Sequence, residues 1–135
     1  MFSHKHEGHL DRGAVAVEMA LVSPLLVAMI VGIIDFSRVF NAEIQLSQAA
    51  REGVRLASLQ LGTLDTPAVQ ARAILAAPNP AFGAALPAGN VTVTGCAASP
   101  AATAVATVTV TYLFHGIFYM TNSTLTQTAV MRCGG

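Results

Sequence analysis

Between Ala14 and Ile34 run 21 residues whose only polar members are Glu18 and Ser23, with the small Gly32 near the end. As a helix at 1.5 Å per residue this run is about 32 Å long, and the hydrocarbon core of a bilayer is about 30 Å thick. The run is therefore long enough to span a membrane. Pro24 removes the hydrogen bond to the carbonyl of Ala20, so a kink or loosened turn is expected between those residues, a defect that membrane helices tolerate. Glu18 is the anomaly. A carboxylate is costly in lipid, though less so near the interface than at the midplane, so either it is incidental or a partner awaits it.

Polarity changes at Asp35, but no proline and no convincing cap separates the run from the residues beyond it. Val39, Ala42, Leu46, Ala50, Val54, Ala57 and Leu61 recur at steps of three or four, with Arg38, Glu43, Gln48, Arg51, Glu52 and Arg55 mostly off that stripe. The pattern predicts one continuous helix from about residue 14 to about residue 61, roughly 72 Å long. A domain this small cannot bury such a helix alone, so other subunits are implied. Gly62 closes it. Thr66 as cap, Pro67 in the first turn and Pro78 as a stop predict a second, short helix.

Residues 79–90 form a Pro/Gly/Ala loop, after which the period shortens to two. "NVTVTG", "AVATVTVTY" and, less strictly, "STLTQTAVMRC" alternate in the manner of strands. Three strands with short links predict an antiparallel sheet, and "LFHGIFYM" (113–120) is expected to pack as a turn against the sheet or the long helix. The expected fold class is α+β: a leader over 1–13, a transmembrane helix over 14–34, its amphipathic continuation over 35–61 and a small head over 62–135.

Only 10% of the 135 residues are charged, against about 25% in average soluble chains, which fits a membrane or a packed assembly. Formal net charge is zero and aromatics make up 6%, arguing against nucleic acid, which needs a basic face and often stacking rings. Lys5 and Arg12 precede the span while Asp35 and Arg38 come after it, a charge balance favouring a cytoplasmic N-terminus. Cys96 and Cys133 then lie outside, where disulfides persist. Bridging them would close a loop of about 38 residues, worth roughly 4 kcal/mol in the chain-entropy model; the alternative is two unpaired thiols.

Other residues carry little chemistry. His4, His6 and His9 sit in the polar leader, and His115 is expected to satisfy a local hydrogen bond. Asn90 and Asn122 begin glycosylation-type triplets but fit strand edges. No nucleophile lies beside a base, no glycine-rich loop comes after a strand and no acid pair is set for catalysis. Neither enzymatic activity, a cofactor nor a metal is expected.

An ordinary cleaved signal has an apolar region of about 7–15 residues before a small-x-small site; this run is longer and passes straight into a helix. A plain signal-anchor is the stronger alternative, and it explains everything except Glu18. Gly13 is followed by Ala14, and Glu18 is the fifth residue after that glycine. This spacing, beside a basic leader and a spanning helix, resembles the prepilin peptidase recognition pattern. More narrowly, "RGAVAVEMALVSPLLVAMIVGIIDFSRVFNAEIQLSQAAREGVRLA" resembles the TadE-like family of tight-adherence (Tad) pilus proteins, over residues 12–57. The later "ATVTVTYLF" and "LTQTAVMR" fit its strand region more loosely.

The resemblance implies a pseudopilin or minor pilin, cut between Gly13 and Ala14 and active in assembling Tad/Flp pili. Its implied partners are other pilin subunits, the prepilin peptidase, the Tad inner-membrane machinery and membrane lipid. The new amine of Ala14 would pair with Glu18 of a neighbouring subunit. Met19 stands where these pseudopilins often carry an aromatic residue, and Ala14, not phenylalanine, opens the mature segment, unlike general secretion pseudopilins. The rivals are an uncut membrane-anchored binding or adhesion module and a small secreted hydrolase.

Overall fold

The computed structural model describes residues 8–101, 103–117 and 122–134, with side chains from Gly13 onward. His4, Lys5 and His6, the side chains of His9 and Arg12, and residues 118–120 of the apolar "LFHGIFYM" stretch lie outside the described residues. The chain divides into two compact units, Met1–Phe36 and Ser37–Gly135.

Helix α1, Gly8–Leu59, supplies the described part of the first unit and continues into the second. Every residue from Gly13 to Ile34 is exposed save the half-buried Val31; Leu21 is 74% and Leu25 65% exposed. One N-terminal helix is thus long and apolar enough to cross a membrane. The helix already includes Gly8, ahead of the expected start near residue 14. Hydrophobic patterning marks where apolar surface begins, but a polar segment such as "HLDR" can propagate a helix equally well. The penalty for Gly13 inside it is only about 1 kcal/mol. The helix also runs unbroken through Pro24.

In the second unit the predicted stripe becomes the core. Ala42, Leu46, Ala49, Ala50, Val54 and Ala57 of α1 are buried with Val69 and Ala73 of α2 (Thr66–Ala76) and with the inner face of the sheet. That sheet has three antiparallel strands in the order β1-β2-β3, comprising Val91–Thr94, Val105–His115 and Asn122–Arg132. The register sets Val93 opposite Val108 and Val110 opposite Gln127. Along β2 the residues Ala106, Val108, Val110, Tyr112 and Phe114 turn inward. The intervening threonines face outward, where the Thr109 and Thr128 hydroxyls meet at 3.0 Å. Each Val or Leu so buried is worth about 1.5–3 kcal/mol.

Four local expectations are corrected. The long helix stops at Leu59, because Leu61 is drawn into a parallel bridge with Cys96 and Gly62 turns at φ 83°. The cap of α2 is Asp65, whose Oδ1 accepts the Ala68 amide at 3.0 Å, and not Thr66. Leu113–His115 continue β2 instead of opening a packed turn; their pairing with Asn122–Thr124 satisfies the backbone, and Phe114 keeps the inward alternation. Asn90 ends a short 3-10 turn just before β1, whereas Asn122 does begin β3.

Small residues let α1 lie close to its neighbours. At Gly53 an added Cβ would stand 3.2 Å from Val108 Cγ1 and 3.4 Å from Ala73 Cβ, so α1, α2 and β2 meet there. Gly53→Val should therefore lower stability by about 1–3 kcal/mol through overpacking. Thermal unfolding of the purified protein would show it, and an unchanged or raised midpoint would contradict this packing.

Candidate functional site

Two places carry the residues singled out by sequence, one in each unit. In the first unit Gly13, Ala14 and Glu18 all lie on α1 and all are exposed. Ala14 and Glu18 stand four residues apart, which puts them on one face of the helix. A Cβ added at Gly13 would meet nothing within 4 Å, so the glycine is not demanded by packing in this chain. Because α1 covers Gly8–Leu59, the Gly13–Ala14 bond lies inside helix and is not extended as a protease substrate must be.

In the second unit Cys96 and Cys133 form a disulfide, with Cα atoms 5.8 Å apart and a sequence separation of 37. Its position explains more than the bridge itself. The segment holding Cys96 accepts the Gly62 amide at its carbonyl, 3.1 Å, while the turn after Cys133 donates the Gly134 amide to Ser58 O at 3.0 Å. Ser58 is fully buried; its hydroxyl donates to Arg55 O at 3.0 Å and lies 3.2 Å from Met131 Sδ. The bridge therefore ties the end of β3 and the segment after β1 to the last turn of α1. Ser58 was not singled out by sequence, since one serine on an apolar stripe has no pattern to betray it.

A third group also escaped sequence reasoning. Arg38 Nε donates to Ala81 O at 3.4 Å, and its guanidinium carbon sits 5.5 Å from the centre of the Phe114 ring. Tyr112 donates its hydroxyl to Ala84 O at 3.1 Å. With Phe82, His115 and Ile117 these residues border an open cleft of about 430 Å³. His115 Nδ1 is 2.9 Å from Asn122 Oδ1, the local hydrogen bond expected of it. The two Arg38 contacts join positions more than forty residues apart and the Tyr112–Ala84 bond positions 28 apart, which no local pattern encodes. On another face Arg72 reaches Glu52 at 3.1 Å, a surface pair of small energetic weight.

A long helix with an uncovered apolar N-terminal part, followed by a small disulfide-linked α+β head, defines the class. Within it, residues 13–55 match the family model described as TadE-like protein. The match begins at Gly13 and takes in Glu18, the apolar run and most of the amphipathic stretch. It marks this segment as TadE-like and suggests a protein associated with the Tad pilus. No curated protein and no solved structure matches the chain.

Replacing both Cys96 and Cys133 by serine should cost about 2–4 kcal/mol, the usual range for a loop of this size. Unfolding with and without reductant would measure it. Alkylation without reduction should label neither residue, and full labelling of both in protein from the cell envelope would contradict the bridge.

Proposed function

We propose that this protein is a pseudopilin or minor pilin of a Tad-type pilus, acting by helix–helix packing and not by catalysis. The observation that carries the reading is the Gly13–Ala14–Glu18 constellation at the very start of the TadE-like segment, on an apolar helix that its own chain leaves bare. In this reading residues 14–34 of α1 sit in the membrane, with the N-terminus in the cytoplasm and the head outside. The disulfide supports that side, because such bonds persist in oxidising compartments.

Cleavage after Gly13 requires the first turns of α1 to unwind. Gly13, inside the helix, weakens those turns by about 1 kcal/mol relative to alanine. Cutting then makes Ala14 a cationic helix start and leaves Glu18 near the positive end of the helix dipole, where a carboxylate is favoured. Its charge still needs a partner in lipid. An amine from a neighbouring subunit supplies one and fixes the axial register of the two helices, a specificity role that buried charges serve in some assemblies.

N-terminal sequencing or mass spectrometry of membrane protein should find Ala14 first. An intact Met1 in cells with active prepilin peptidase would overturn the processing step and favour the uncut binding or adhesion module. Gly13→Ala fits the space and need not abolish cutting, whereas a bulky residue should.

Glu18→Gln keeps size and removes charge. Membrane level should hold or rise slightly, since an unpaired carboxylate costs about 3 kcal/mol at midplane on insertion scales. Association with partner pilins and surface piliation should fall. Normal piliation at a normal protein level would reduce Glu18 to an interfacial charge.

A further inference from the structure

The Arg38 cleft has a feature that packing of the head does not explain. Ala81 and Phe82 are consecutive non-glycine residues at φ 54° and 59°. That left-handed conformation costs L-residues about 1–2 kcal/mol each. What the turn achieves is a division of labour. Ala81 is fully buried and holds Arg38 through its carbonyl, while Phe82 stands 89% exposed. Gly83 comes next because a Cβ there would come within 2.3 Å of the Tyr112 hydroxyl. Ile117, 40% exposed, lines the same cleft.

The place of this tip is limited by the chain itself. Arg38 lies four residues beyond Ile34, where the apolar run ends. Four residues reach at most about 14 Å, however the intervening backbone runs. Arg38 in turn touches Ala81 and Phe114, so the chain tethers the Phe82 tip within a short reach of the end of the run. Apolar side chains beside a cation suit the boundary between acyl chains and headgroups, where Phe and Leu bury while Arg keeps its charge in the polar layer.

We propose that Phe82 and Ile117 form a lipid-contact tip, entering the interfacial layer of the leaflet from which α1 emerges and holding the head against the membrane before assembly. The inference rests on residues 14–34 being the span.

The chain contains no tryptophan, so Phe82→Trp creates a single reporter at an exposed position. Two companions carry their reporter elsewhere: Leu25→Trp in the apolar run and Leu75→Trp on α2, a residue 75% exposed that lines a hollow with Glu52 and Arg72. Each full-length protein is reconstituted in phosphatidylcholine–phosphatidylglycerol vesicles containing lipids brominated at shallow or deep acyl positions. The Phe82→Trp emission should shift to the blue and lose more intensity to shallow than to deep bromines, while Leu75→Trp stays unquenched and open to iodide.

If Leu25→Trp is quenched by deep bromines but Phe82→Trp behaves like Leu75→Trp, the tip proposal is overturned and the span stands. Shielding of Phe82→Trp from iodide without quenching by bromine would mean that protein covers the tip, and would also overturn it. Absence of quenching at Leu25→Trp removes the span, and the proposal with it.

Discussion

A helix that is apolar on every side can be stable only where something other than water surrounds it. From Gly13 to Ile34 the described residues of this chain bury almost nothing of α1. Lipid or neighbouring subunits must supply the environment, and this one constraint governs the role of Glu18. In lipid the carboxylate is penalised, and in an assembly it can be paired. On the proposed function, the same helix would have a tolerable state in the membrane and a better one among subunits, with Glu18 as the residue that distinguishes them.

Beyond Ser37 the requirement reverses, and one face of α1 becomes part of a conventional core. Alanines and Gly53 on its inner stripe allow close approach to β2 and α2. The Cys96–Cys133 bridge then fastens two separate segments of the head to the turn around Ser58. The head is thereby locked to the amphipathic stretch near Ser58, while Arg38 anchors its other end through Ala81 and Phe114. Attachment at both ends of the buried stripe makes that stretch of α1 part of the head's fold.

What could be read from sequence was what repeats. The stripe from Val39 to Leu61 and the alternation from Val105 to Tyr112 each give a period, and both became buried faces except at Leu61, which lies beyond the end of α1 and is exposed. The helical state of residues 8–12 could not be read, because polar residues carry a helix without any apolar signal. Thr66 and Asp65 are both good cap residues, and only the position of Ala68 N decides for Asp65. The disulfide was expected from topology, with unpaired thiols left open until the Cα atoms were placed. Gly13, Ala14 and Glu18 stood out by spacing. The Arg38–Ala81–Phe82 tip did not, since it joins residues that are distant in sequence and depends on two backbone angles that alanine and phenylalanine rarely adopt.

On the proposed pilin function, neutralisation of Glu18 by the N-terminal amine of a different subunit is the step on which assembly would turn. Ala14 and Glu18 share a helix face, and helical side chains lean toward the N-terminus, so pairing within one chain is the competing arrangement. Zero-length carbodiimide coupling in membranes from cells making pili, followed by trypsin and mass spectrometry, separates the two. After cleavage at Gly13, the first tryptic peptide runs from Ala14 to Arg38 and holds both groups. A link within one chain therefore leaves a single cyclised peptide, whereas a link between chains joins two. The account predicts joined peptides, with the Glu18 carboxyl amidated by an N-terminal amine of another pilin chain. A Glu18 linked only to the Ala14 amine of its own chain, or left unlinked in assembled pili, would contradict it.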